Sequence, residues 1–81
     1  MILTGRQIRE GRALAGLSQD DVAVAADVPV GLIVRVEAVD GMAMARKPDL
    51  AAIRRALEAA GVEFIPENGG GAVVRLRKVE S

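Results

Sequence analysis

Eighty-one residues suffice for one domain and not two, and eleven basic residues against eleven acidic ones leave no net charge. There is no cysteine and no histidine, which excludes a disulfide framework, a thiolate metal site and the commonest general base. Hydrophobic residues make up 51% of the chain but Phe64 is its single aromatic, so Ala, Val and Leu must fill a thin core that a subunit interface would reinforce.

Thr4 is placed to cap a first helix over Gly5–Ala15, where Ile8, Gly11, Leu14 and Ala15 share a face and Gly16 ends the run. Ser18 caps a second helix; Gln19, Asp20 and Asp21 form its first turn and Val22, Ala23 and Ala26 its apolar face. Asp27-Val28-Pro29 is a tight turn, since Pro29 cannot continue a helix but can start one. The third helix is predicted over Val30–Ala38, with Ile33 and Val36 facing inward and Asp40-Gly41 beyond its end. A loop follows from Gly41 to Lys47. Asp49 is the expected cap of a fourth helix to Ala60, striped by Leu50, Ile53 and Leu57 and closed by Gly61. The period then changes: Val62–Ile65 and Ala72–Val79 are strand candidates, joined by a turn whose strongest signal is Asn68-Gly69.

The ordered set Arg12, Leu14, Gly16-Leu17-Ser18-Gln19, Val22-Ala23, Ala26, Val28, Ile33 and Val36-Glu37 resembles the Xre/Cro/lambda-repressor-like helix-turn-helix family over residues 6–60. The tail, with Glu67-Asn68-Gly69-Gly70-Gly71 and Arg75-Leu76-Arg77-Lys78, looks like the ending of many small bacterial members. The family usually has Gly at the turn; Asp27 stands here, and it tolerates a left-handed backbone better than most residues. The implied fold is mainly α, a four-to-five-helix lambda-repressor-like bundle with a C-terminal β-hairpin. Residues 1–61 would form the helix-turn-helix domain, and 62–81 an extension serving dimerisation.

The resemblance implies a homodimer that binds double-stranded DNA and regulates transcription, most simply as a repressor, with no enzyme activity, no cofactor and no metal. The third helix would enter the major groove and bring Val30, Gly31, Leu32, Val34 and Arg35 to the bases. Gln19 matches the position that hydrogen-bonds the DNA backbone or nearby bases, and Arg46 and Lys47 the positions that contact phosphate. The N-terminus of the second helix would point amides at a phosphate. Arg12 and Glu37 match a structural salt bridge between the first and third helices. Arg6 and Arg9 are further, weaker candidates for the DNA side, and Arg54 and Arg55 belong to the solvent face of the fourth helix.

The residues themselves pull two ways. Arg35 is the one long donor on a reading face that is otherwise Val, Gly and Leu, and Arg is the common bidentate partner of guanine. Residues 1–48 carry six basic and six acidic groups and 49–81 five of each, so neither half has the basic excess usual for nucleic-acid binding. An apolar third helix also suits an alternative function, a protein-interaction module such as an antiactivator or antitoxin that grips a protein partner.

Met42 and Met44 either plug a gap in the core or form an adaptable contact surface. Gly69-Gly70-Gly71 is a turn and not a phosphate loop, for no Lys-Ser/Thr follows it. Arg75, Arg77 and Lys78 read as the wet face of a strand. A lone hairpin has open edges, so pairing two tails through Phe64, Ile65, Val74 and Leu76 is the expected dimerisation. No apolar run approaches the ~20 residues of a membrane span, and Met1–Leu3 is too short for a signal-peptide core, which makes the cytoplasm, and within it the bacterial nucleoid, the expected location.

Overall fold

Local capping chemistry sets most of the helix boundaries. In the computed structural model, which describes residues 3–66 and 72–77, Thr4 is extended and its Oγ1 accepts the Gln7 amide at 3.1 Å. The Gln7 side chain accepts the Thr4 amide in return at 2.9 Å, a reciprocal capping box that starts α1 (Gly5–Ala15). Gly16, at φ 68°, ends α1 in the left-handed region where a Cβ is costly. Ser18 and Asp21 repeat the box at 3.0 and 2.9 Å and start α2 (Gln19–Ala26).

Asp27 closes α2 at φ 56°, the one non-glycine with positive φ among the described residues. Its side chain is short enough to tolerate that conformation, so it does here what a glycine would do. Pro29 is the N-cap of α3 (Val30–Glu37), with no side-chain hydrogen bond to cap it. The fourth helix differs from expectation. α4 runs over Lys47–Ala59, with Arg46 rather than Asp49 at its N-cap. Pro48 in the first turn extends the helix upstream, because the amide it lacks has no intrahelical partner there. Asp49 lies in that first turn and accepts from Arg46 Nε at 3.3 Å.

The chain leaves α4 through Gly61 into β1 (Val62–Pro66), which pairs antiparallel with β2 (Ala72–Leu76). Leu76 faces Val62, Val74 faces Phe64 and Val73 faces Ile65. β2 is shorter than the expected Ala72–Val79, and the expected Asn68-Gly69 turn, Gly70-Gly71 and Lys78 lie outside the described residues. Ile8, Val22, Ile33, Ile53, Leu57 and Val62 are fully buried, so one core takes side chains from all four helices and from β1. Gly11 lets the hairpin close on α1, since a Cβ there would stand 3.3 Å from Val62 Cγ1 and 3.6 Å from Phe64 Cζ. Among the described residues no helix is long and apolar enough to cross a membrane.

The segment between α3 and α4 is pinned to the start of the chain. The Gly5 amide donates to the Gly41 carbonyl at 2.9 Å, the Ala43 amide to that of Leu3 at 3.0 Å, and Thr4 and Met42 form an isolated bridge. Ala43 is thereby buried while Met42 and Met44 on either side stay exposed. The two Met residues do not plug the core.

Candidate nucleic-acid interface

Helices α2 and α3, joined by Asp27–Pro29, are held by a polar knot on their inner side. Arg12 Nε and Nη2 donate to Glu37 Oε2 and Oε1, each at 2.9 Å, and Arg12 Nη1 donates to the Leu17 carbonyl at 3.1 Å. Gln19 Nε2 adds a bond to Glu37 Oε1 at 3.3 Å. One carboxylate, 5% exposed, therefore ties α1, α2 and α3 together. The hydrogen bonding of Arg12 to Glu37, more than the charge of Glu37, holds the guanidinium above its ordinary value despite the opposing effect of burial. Desolvating a carboxylate is costly unless its lone pairs are satisfied, and here they are.

Gln19 is thus turned to Glu37 and half-buried, not extended toward a ligand. Its amide would have to leave that bond to touch DNA. The N-terminus of α2 is also poorly suited to a phosphate. Ser18 already takes the Asp21 amide, and Asp20 and Asp21 are exposed in the first turn, where their charges offset the helix dipole and repel anions. Ser18 also bonds the Asp21 carboxylate, through its amide first and its hydroxyl second, and so lowers that pKa.

On α3 the expected reading residues divide. Val30, Gly31, Val34 and Arg35 are exposed, while Ile33, Val36 and Glu37 are buried on the opposite side. Leu32, expected at the base edges, is half-buried and packs against the core. A Cβ on Gly31 would meet nothing within 4 Å. Among the described residues Arg35 reaches only the Met44 carbonyl, at 3.5 Å, too long for a firm bond. The basic pair after α3 is available: Arg46 is 80% exposed and weakly paired with Asp49, and exposed Lys47 has no ion pair among the described residues.

Arg9 has a different task from the one considered for it. It donates to the Glu37 carbonyl and to the Asp40 carboxylate, and so caps the C-terminus of α3 from α1. The Arg9 hydrogen bond, then its charge, holds Asp40 below the usual carboxylate range. Arg6 pairs with Glu10 at 2.9 Å on the outer face of α1. Two structural residues escaped the sequence reading. Gln7 was legible, because Thr4-x-x-Gln7 has capping-box spacing. Gly5 was not: its Cβ would collide with the Val36 and Val39 carbonyls, a contact between segments some thirty residues apart.

The four residues expected to dimerise do not form one surface. Phe64 and Val74 sit on the inner face of the hairpin, and Phe64 is buried in its own chain. Leu76 faces Val62 and stays exposed at the end of the pair. Ile65 points to the opposite face, beside Val73. Side chains alternate along a strand, so no single partner surface can bury Phe64 and Ile65 together. No family model matches the chain, and no curated protein matches it either.

Proposed function

We propose that this chain is a sequence-specific DNA-binding transcriptional regulator with a lambda-repressor-like helix-turn-helix, acting as a homodimer and repressing by occlusion. The observation that carries the reading is the exposed side of α3. Val30, Gly31, Val34 and Arg35 face solvent on a helix whose other side is locked by Ile33, Val36 and the Arg12–Glu37 pair. A rigid helix with a free outer face and exposed cations just beyond it is what major-groove docking requires. Arg35 would read guanine, Val30 and Val34 would pack on thymine methyls, and Arg46 and Lys47 would fix the register on phosphate.

Selection from a random duplex pool tests this. The expected result is an enriched, two-fold symmetric site whose guanine preference is lost in Arg35→Ala, at roughly 1–3 kcal/mol per contact. Recovery of no motif overturns the reading. One observation favours the other class, a protein-interaction module: Val30 and Val34 are 41% and 48% exposed, an apolar pair suited to a protein groove. In that case the selection fails while Val34→Asp abolishes binding to a protein partner.

A further inference from the structure

A concave surface adjoins the exposed face of α3, where Arg35 reaches toward the Met44 carbonyl. Between α4 and the segment after α3 runs a groove of about 670 Å³, floored by Leu3, Ala43 and Leu50 and walled by Met42 and Met44. Lys47, Arg54 and Arg55 stand along its α4 edge. The two Met side chains are 57% and 72% exposed, although backbone bonds on either side of Ala43 hold their segment in place. Unbranched thioethers of this kind adapt their shape to an incoming apolar surface.

Charge on the edge narrows the occupant. Arg54 is paired with Glu58 at 3.4 Å, which neutralises both. Lys47 and Arg55 are exposed and have no ion pair among the described residues. Among the described residues the groove therefore offers an apolar floor with two spare cations and no spare anion. Both cations lie on α4, eight residues apart, which places them roughly 12 Å apart along the helix axis.

The groove is partly open to solvent. An acyl chain lying in it would leave a wall of methylenes in water, whereas a helix buries one face and keeps its polar face wet. From this shape and charge we infer that the groove binds an amphipathic helix of a partner protein, with an apolar ridge at i, i+3, i+4 and i+7 and two carboxylates about two turns apart. The ridge enters between Met44 and Leu50, and the carboxylates meet Lys47 and Arg55. Lys47 is shared with the proposed phosphate contacts, but Arg55 and Leu50 belong to the groove alone, and peptide binding is read without DNA, so it stands or falls separately from that reading.

Three labelled helical peptides of about 14 residues test it. They share one Leu ridge and carry Glu, Gln or Lys at the two flanking positions; each is titrated by fluorescence anisotropy into the full chain. The Glu peptide is expected to bind at least about tenfold more tightly than the Lys peptide. Arg55→Glu leaves one cation against one anion and should abolish that preference, and Met44→Asp should weaken all three peptides. Both sites are exposed, and circular dichroism checks that the variants fold. Absence of saturable binding, a preference for the Lys peptide, or affinities indifferent to both substitutions overturns the inference. So does either competing occupant. A concentration-dependent dimer lost in Met44→Asp would assign the groove to a second copy, and tighter Arg55-dependent binding of phosphatidylglycerol vesicles would assign it to lipid.

Discussion

Arg12 and Glu37 meet through two parallel hydrogen bonds of 2.9 Å, but the two partners are unequally buried, at 24% and 4% side-chain exposure. The inequality sets the sign of an experiment. Arg12→Ala strands a carboxylate that water can hardly reach, with Gln19 as its one remaining donor among the bonds described. Glu37→Gln frees a guanidinium that can turn to solvent. Breaking a buried pair from one side costs about 3–5 kcal/mol, so Arg12→Ala should lie near 3 and Glu37→Gln well below it. Urea unfolding of both singles and the double measures this, and equal losses would show that the asymmetry of burial does not matter.

Gly5 is required by its neighbours rather than by its backbone angles. The Val36 and Val39 carbonyls occupy the place of its missing Cβ, so the start of α1 rests on the end of α3. Gly5→Ala must separate those helices, and overpacking of this kind costs at least ~1–3 kcal/mol. Gly31→Ala is the control. Nothing surrounds its Cβ, and losing a helical glycine should stabilise by up to ~1 kcal/mol. Thermal melts of the two variants are expected to move in opposite directions.

These two glycines also show what the sequence could and could not disclose. The helices were legible wherever local chemistry fixes them: Thr4, Ser18 and Asp27 act on amides or angles within four residues of themselves. The start of α4 was misjudged because Asp49 and Pro48 both suit a first turn, and only their order decides which is further in. Arg9, Gly5 and Leu32 were misread or missed because their partners are distant in the chain. Nothing near Arg9 in the chain marks its acceptors, the Glu37 carbonyl and the Asp40 carboxylate, which lie some thirty residues on. The face that each hairpin residue takes follows from a simpler rule. Phe64 and Ile65 are adjacent, and adjacency in a strand means opposite faces.

Asp21 and Asp40 give a signed dependence on pH. Ser18 lowers the first and Arg9 the second, so both have folded values below their unfolded value near ~3.9. A lowered carboxylate contributes stability above the unfolded pKa and loses it as pH falls through the folded one. The double variant Asp21→Asn/Asp40→Asn should therefore melt lower than the wild type at neutral pH, and the gap should narrow below about pH 4. A gap that persisted unchanged to the acid limit would mean that packing, not charge, carries the effect.

The hairpin offers a cleaner test of dimerisation than truncation, because β2 completes the core through Val74. Ile65 and Val73 are cross-strand partners on the outer face, away from that core. Replacing them with Lys and Glu keeps an opposite-charge pair across the strands while removing the apolar patch. If the homodimer forms there, sedimentation should show a monomer whose melting temperature is within a few degrees of the wild-type chain at low concentration. An unchanged dimer would place the interface elsewhere, and a wild-type monomer at micromolar concentration would end the dimeric reading.

Salt distinguishes phosphate contact from apolar contact by α3. Arg9 and Arg12 are committed to partners within the chain, whereas in the segment after α3 Lys47 has no ion pair among the described residues and Arg46, 80% exposed, has only a 3.3 Å one to Asp49. Two contacts per subunit in a dimer give a Z of about four, and log Kd should then change with log salt at a slope near 3.6 in magnitude. Lys47→Ala should lower that slope by about two in a dimer, equally for specific and random duplexes, because phosphate contacts carry no sequence information. Arg35→Ala should instead erase discrimination between duplexes. A slope near zero in the wild-type chain would leave Val30 and Val34 as the dominant contacts. Apolar contacts alone cannot hold a polyanion, so that result would turn the outer face of α3 from a DNA surface into a protein one.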